Sequence, residues 1–546
     1  MKNILEPLDA NAAAWVNNTL AAMDIRERVG QLLIPICHVP SQYEEIHAWS
    51  RDIPFGGLFV GPTRSDELRD HVDRMQANHP VPLIIAADLE YGAGHVVDGL
   101  TRFPDPLALA ATDDESLAYL MGQVTAREGR AAGIHWTFAP ITDVNRNPDN
   151  PITNTRSFGD DPKRVARMAS AMIRGLQDHG MAACPKHFPG DGYDDVDQHI
   201  TTSINPLTMD DWERESGHAF RSAYEAGAWT TMIGHIALPS HDPKTDPRGV
   251  PRPASINPRL ARDLLRQRLG FGGLAVSDDM NMGGVAGYMN RRDRLPACVE
   301  AGCDMILCHQ RKEDFQILLN ALDAGTLSVR RVEEAARRVL ELKARLKLHE
   351  KQTPEIPSDA ERALWRKASR DIANQAVTLV RDFGHRLPLR DLKPGSRVLT
   401  VTLAVDDIDL PVVDEELRAR GYHVDHLLNP VDYTFVDTVR PYDAVFVNFA
   451  TKAGWAIGTV RTTGAYNRLF MFGFFMEHPR TVFTSFGSPY HLRTHRTLPN
   501  YINAHSSGAD SQRAAVAAWL GEQPINGKSP VSRLEYDATL YHHDRE

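Results

Sequence analysis

Eight short apolar runs punctuate residues 20 to 350, and they constrain the fold more than any other feature: "GQLLIPI", "GGLFVG", "PLIIAADL", "HWTFAPITDV", "AACPKHF", "TTMIGHI", "GLAVSDD" and "DMILCH". A strand covered on both faces reads as nearly continuous apolar sequence, whereas a strand with one wet face alternates. Segments of helical periodicity separate the runs. "TDDESLAYLMGQVTAREGRAAG" is expected to open with a Thr112/Glu115 capping box. "NPRLARDLLRQRLG" is expected to start with Asn257 as N-cap and Pro258 at N1, and to stop at Gly270. Eight strands alternating with helices predict an α/β fold of the TIM-like (β/α)8 barrel type over residues 1–350.

At 546 residues the chain exceeds what one core of ordinary size accommodates. The polar, proline-bearing stretch "HEKQTPEIPSDAER" follows a long amphipathic helix, "LSVRRVEEAARRVLELKARL", and places a linker at residues 351–362. Beyond it the runs "RVLTVTLA", "YDAVFVNFA", "TVFTSFG" and "YINAHS" alternate with helical segments such as "DSQRAAVAAWL". Residues 363–546 are therefore expected to form a smaller α/β sandwich domain with a mostly parallel sheet.

Composition excludes several classes. The 61 basic and 71 acidic side chains leave a formal charge of -10, which argues against a nucleic-acid partner. No stretch approaches the ~18 uncharged apolar residues of a membrane span, and "MKNILEPLDANAAAW" lacks an apolar leader core, so no membrane association is expected. Five cysteines, Cys37, Cys184, Cys298, Cys303 and Cys308, contain no C-x-x-C pair and fit reduced thiols, with a cytoplasmic location as the default expectation.

In a barrel of this kind the active site is built at the C-terminal ends of the strands. The polar residues gather there: Asp88 and Glu90 after the third run, Asn145, Asn147, Asn154 and Arg156 after the fourth, Lys186 and His187 after the fifth, His235 after the sixth, and Ser277, Asp278 and Asp279 after the seventh. Asp278 and Asp279 are consecutive, so their side chains point to opposite sides and only one faces the axis. A carboxylate aimed into a pocket is what a retaining glycosidase uses as nucleophile. The alternative role for such an acid is to cap the next helix.

The loop "KHFPGDGYDDVDQH", residues 186–199, holds four aspartates and two histidines. Asp197 and His199 are two residues apart, close enough for the carboxylate to fix the imidazole tautomer and favour its protonated form, the requirement for an acid/base dyad near neutral pH. A solvated acidic loop is the alternative, and the aspartate spacing does not fit an EF-hand.

"KHFPGDG…DQH", "SDDMNM", "NTRSFGDDP" and "PASINPRLARDLLRQRLGFGGLAVSDDM" resemble the signatures of glycoside hydrolase family 3, and the D-x-H after the K-H-F-P-G loop resembles its β-N-acetylglucosaminidase branch. "VFTSFGSPY" and "GEQPINGKSPVSRL" are similar to the sandwich domain of two-domain members. The resemblance implies a retaining exo-β-N-acetylglucosaminidase with Asp278 as nucleophile, His199 with Asp197 as acid/base dyad, and a terminal β-linked sugar among Asp88, Arg156, Lys186 and His187. It implies a carbohydrate substrate and neither metal nor organic cofactor.

Two departures stand out. The family's D-Q-E-G-G-R is replaced by "DLEYGAGHVVDGLTRF", which leaves Arg102 as the nearest arginine behind the acid, and the family's G-H-G is replaced by Gly190-Asp191-Gly192, where Asp191 is positioned to hold Lys186 or to select a sugar substituent. The rival readings are a β-glucosidase or β-xylosidase whose acid/base is a glutamate of the second domain, with Glu415, Glu416 and Glu477 as candidates, and a phosphorylase, since an imidazolium does not repel phosphate as a carboxylate would. A metal-dependent amidohydrolase would need H-x-H after the first run, where "PICHVP" offers only His38.

Overall fold

The computed structural model describes residues 5–37, 42–308, 311–351, 353, 355–404, 408–431, 435–454, 458, 460–462 and 464–535, with the side chains of 464–466 excepted. His38 lies outside these residues. The chain divides into two compact units. The first comprises Met1–Arg102, Glu115–Val144 and Pro162–Trp365, and the second Phe103–Asp114, Asn145–Asp161 and Arg366–Glu546.

In the first unit the main strands are β1 (Leu33–Cys37), β2 (Gly57–Val60), β3 (Ile84–Ala87), β4 (Trp136–Thr137), β5 (Thr230–Ile233), β6 (Leu274–Ser277) and β7 (Ile306–Cys308). All their mutual pairings are parallel: β7-β1-β2-β3-β4 form one sheet and β5-β6 another. Isolated parallel bridges continue the series at Trp136↔Ala182, Phe188↔Ile233 and Val276↔Met305, so the pairing runs through eight segments and returns to β1. The fifth segment, residues 182–188, pairs only through such bridges. Pro185 inside it and Pro189 after it carry no N–H to donate to a ladder.

Alternate residues of each segment meet in one core: Ile34 and Ile36, Phe59, Ile84 and Ala86, Trp136 and Phe138, Ala182 and Cys184, Met232, Leu274 and Val276, Met305 and Leu307. Each large apolar side chain fully buried there contributes about 1.5–3 kcal/mol. The indole N–H of Trp136 donates to Thr230 Oγ1 at 2.8 Å, and Thr230 Oγ1 donates to the Ala183 carbonyl at 2.8 Å, which satisfies the polar atoms of the core.

Three helix boundaries differ from the reading of the sequence. The helix expected to begin at a Thr112 cap spans Glu115–Ala131, while Thr112 ends the preceding short helix Pro106–Ala111 and its hydroxyl donates to the Leu109 carbonyl. Within the expected linker a helix already starts at Asp359 and continues to Ala376. The helix expected to be capped by Asn257 spans Arg259–Arg268 with Pro258 at its N-cap; Asn257 Oδ1 accepts the Arg259 N–H at 3.0 Å, and Gly270 lies beyond the helix at φ +70°.

The second unit holds a six-stranded sheet of β8 (Thr378–Asp382), β9 (Arg397–Ala404), β10 (His423–Leu428), β11 (Ala444–Ala450), β12 (Thr481–Ser485) and β13 (Asn500–Asn503), in the order β8-β13-β12-β11-β9-β10. Only β8 is antiparallel. Even-numbered residues of the central strands pack with helix Ala509–Trp519 on one face, and odd-numbered ones such as Leu399, Val401, Val447 and Phe483 build the other. The chain thus folds as two α/β units, each built on parallel strands.

Candidate active site

The candidate residues of the first unit stand at the C-terminal ends of its strands. Asp278 directly follows β6; its backbone N–H donates to the Ile233 carbonyl at 2.9 Å, and its Oδ1 accepts the N–H of Asp279 at 2.8 Å. Asp279 points elsewhere: its Oδ1 accepts both the N–H (3.0 Å) and the side-chain amide (2.8 Å) of Asn281. Asp279 thus closes a local turn onto Asn281 rather than capping the next helix, whose N-cap is Met282.

Burial on its own would raise the Asp278 carboxyl, but the imidazoles of His187, His235 and His199 outweigh it and hold the group below its ordinary value.

His199 Nδ1 lies 2.7 Å from Asp197 Oδ1, which also accepts the His199 backbone N–H at 2.8 Å. Because a carboxylate only accepts, Nδ1 carries the proton and Nε2 is the nitrogen at which the ring gains or loses one. The Asp197 side chain is 3% exposed and that of His199 28%, so the pair has a buried anchor and a reachable ring.

Lys186 Nζ lies 2.7 Å from Asp88 Oδ1 and 3.0 Å from Glu90 Oε1, with the lysine 3% and Asp88 38% exposed. His187 Nδ1 donates to Asp143 Oδ2 at 2.7 Å, and Asp143 Oδ1 accepts the N–H groups of His187 (3.0 Å) and Asp191 (2.8 Å). Asp143 is completely buried. It escaped the reading of the sequence, although an acid closing the run "HWTFAPITDV" is the same signal that picked out Asp88 and Asp278.

Asp191 is held by its own loop. Its Oδ2 accepts the side-chain amide of Gln198 at 3.2 Å and its Oδ1 the N–H of Gly192 at 2.7 Å. His235 is pinned by both nitrogens: Nε2 donates to the Asp279 carbonyl at 2.9 Å and Nδ1 accepts from Ser255 Oγ at 2.8 Å. Arg102 stacks over the Tyr91 ring at 5.2 Å. Arg156 belongs to the second unit, where its guanidinium donates to the Ile152 carbonyl at 3.3 Å. Its companions on that loop are held within the same unit, Asn145 by Tyr490 at 3.0 Å and Asn154 by Ser488 at 3.4 Å. Of the three glutamates weighed as an alternative acid, Glu416 is tied to Arg420 at 2.5 Å and Arg513 at 3.3 Å, while Glu415 and Glu477 are exposed.

Two α/β units, the first with carboxylates and imidazoles gathered at its strand ends, have the arrangement of an enzyme scaffold. The description "Glycosyl hydrolase family 3 N terminal domain" matches residues 24–342, and the chain belongs to glycoside hydrolase family 3. A Cellulomonas fimi protein called β-N-acetylglucosaminidase/β-glucosidase is 33% identical over 552 residues, covering 96% of each chain. A β-hexosaminidase of Thiobacillus denitrificans is 34% identical over 278 residues, covering 50% of this chain and 74% of its own. Among solved structures, the β-glucoside phosphorylase BglX bound to 2FGlc superposes with a TM-score of 0.89 at 32% identity, covering 96% of this chain and 97% of that one. A Paenibacillus β-N-acetylglucosaminidase shares the fold at a TM-score of 0.81 and 24% identity, covering 94% of this chain and all of its own.

Proposed function

We propose that the protein is a retaining, exo-acting β-N-acetylglucosaminidase whose eight-segment parallel circuit is a (β/α)8 barrel with Asp278 at its mouth. The observation that carries the reading is the 2.7 Å Asp197–His199 hydrogen bond beside an acid held ionised by imidazoles. In the first step the Asp278 carboxylate attacks the anomeric carbon, the bond to the aglycone oxygen breaks, and His199 Nε2–H gives that oxygen its proton while Asp197 stabilises the imidazolium. In the second, the neutral ring takes a proton from water, which displaces Asp278 and restores the anomeric configuration.

Asp88 accepts hydrogen bonds from ring hydroxyls, and Lys186 and His187 donate to hydroxyl or acetamido oxygens. Lys186, fixed between Asp88 and Glu90, is an oriented donor rather than a mobile one, which suits discrimination among sugars. The full-length relative from Cellulomonas fimi, named for both N-acetylglucosaminide and glucoside cleavage, supports this substrate class.

The test is nitrophenol release from 4-nitrophenyl β-N-acetylglucosaminide and from the matching β-glucoside, by wild type and His199→Ala. Cleavage of the N-acetyl substrate with a loss in the variant of up to about 10²–10⁴ supports the reading. Preference for the glucoside with His199→Ala unaffected sinks it and moves the acid to the second unit.

A second reading, phosphorolysis, is favoured by the likeness to the β-glucoside phosphorylase. Phosphate then replaces water in the second step, and an imidazole base suits this anionic nucleophile because it carries no negative charge. Sugar 1-phosphate appearing in phosphate buffer identifies it.

A further inference from the structure

We propose that Gln198, the middle residue of Asp197-Gln198-His199, is the positioning residue that fixes His199 relative to Asp278, and that Asp191 holds it in that role. The inference rests on the dyad reading given above.

Gln198 is completely buried, yet both ends of its amide are satisfied. Nε2 donates to Asp191 Oδ2 at 3.2 Å and Oε1 accepts the backbone N–H of His235 at 3.0 Å. The main chain on either side is clamped as well: the Gly284 N–H donates to the Gln198 carbonyl at 3.0 Å and the Gly283 N–H to the His199 carbonyl at 2.8 Å. The dyad loop is thus tied to His235, two residues past the end of β5, and to the start of the short helix Gly283–Ala286 beyond β6.

Those two strands also hold the nucleophile. Ser277 pairs with Ile233 in the β5–β6 register, and Asp278 donates its N–H to the Ile233 carbonyl, two residues before the His235 N–H that Gln198 accepts. Nucleophile and acid/base therefore hang from one two-strand frame, and the Gln198 amide is a side-chain link between them. Gly234 leaves it room: a Cβ there would stand 3.2 Å from Gln198 Oε1 and 3.0 Å from His187 Cβ.

A neutral amide is required on chemical grounds, because one end must donate to a carboxylate and the other must accept from an N–H. Glutamate at position 198 keeps the acceptor and loses the donor, setting two carboxylates against each other. Asparagine at position 191 would supply a donor again while its oxygen still accepts from Gly192.

The experiment compares kcat/KM of wild type, Gln198→Glu, the double variant Gln198→Glu/Asp191→Asn, and His199→Ala on two aryl β-glycosides of the sugar the enzyme cleaves. One carries 4-methoxyphenol, whose departure needs a proton, and the other 2,4-dinitrophenol, whose departure does not. Gln198→Glu is expected to lower kcat/KM by about 10- to 100-fold on the methoxyphenyl substrate and far less on the dinitrophenyl one, since a displacement of about 1 Å costs a factor of that order. The double variant is expected to recover most of the loss. Equal losses on both leaving groups, or no recovery, assign Gln198 to the scaffold alone and overturn the inference. If His199→Ala itself lacks the leaving-group dependence, the dyad reading falls and the inference with it; if His199→Ala shows it and Gln198→Glu does not, only the inference falls.

Discussion

His199 Nδ1 and Asp197 Oδ1 stand 2.7 Å apart, and the same oxygen takes the His199 backbone N–H at 2.8 Å. One buried carboxylate atom therefore fixes both the tautomer of the ring and the backbone that carries it. Asp197→Ala removes both anchors, whereas Asp197→Asn retains an acceptor without the charge that stabilises an imidazolium. On a substrate with a poor leaving group, Asp197→Ala is expected to lose about 10²–10⁴ in kcat/KM, with Asp197→Asn losing less. Steady-state rates of the two variants check this, and an Asn variant slower than the Ala variant would contradict it.

Asp278 supplies the pH prediction. Burial alone would raise its carboxyl, and His187 leads the three imidazoles that bring it below its ordinary value. Removing His187 takes away the leading influence that lowers the carboxyl, so His187→Asn raises the Asp278 pKa. The acid limb of kcat/KM against pH is then expected to move to higher pH in that variant. An unmoved acid limb would show that this limb reports another group.

Gly283 is expected to tolerate no side chain. A Cβ there would stand 2.1 Å from the Ile200 carbonyl oxygen and 2.9 Å from that of His199, so the dyad loop would have to lift away. Gly283→Ala should cost roughly 10² in kcat/KM through the misplaced acid/base, because near-attack geometry is sensitive on the ångström scale. Unchanged kinetics would show that the loop accommodates the methyl without moving His199.

The eight runs of the first unit were legible because strands covered on both faces carry apolar residues at nearly every position, as in Leu33–Cys37 and Ile84–Ala87, which are buried throughout. The edge strand His423–Leu428 was not: it has one neighbour, half-exposed faces and the polar sequence "HVDHLL", and it reads as loop. The helix beginning at Asp359 announced itself in a Ser358/Glu361 capping box that the proline-bearing context obscured; Ser358 N–H donates to Glu361 Oε2 at 2.9 Å and Glu361 N–H to Ser358 Oγ at 3.3 Å. The Asp197–His199 hydrogen bond was legible because the two residues are two apart in sequence. Asp143 carried the strand-end signal but its partner His187 lies 44 residues away, and the Gln198 side-chain carbonyl accepts from His235, 37 residues away, so what each one holds emerges only on folding. The membership of residues 103–114 and 145–161 in the second unit is likewise a matter of long-range contacts that no local pattern carries.

Lys343 gives a stability prediction independent of catalysis. It is completely buried in the helix Val329–Arg345, its Nζ donates to Gln31 Oε1 at 2.5 Å, and burial pushes its pKa down to about 7. In the unfolded chain the same amine titrates near 10.4. Between these two values the unfolded state binds more protons than the folded one, so stability rises with pH across that interval. Below about 7 both states are protonated and the folded chain bears the cost of a buried ammonium; above about 10 both are neutral and the cost is gone. Lys343→Met, which keeps the apolar stem and removes the titrating group, is expected to be more stable than wild type at pH 7 by a few kcal/mol at most, with the difference shrinking as pH approaches about 10. Urea denaturation of both proteins across that range checks it. A wild-type advantage at pH 7 would mean that the Gln31 hydrogen bond outweighs the desolvation of the charge.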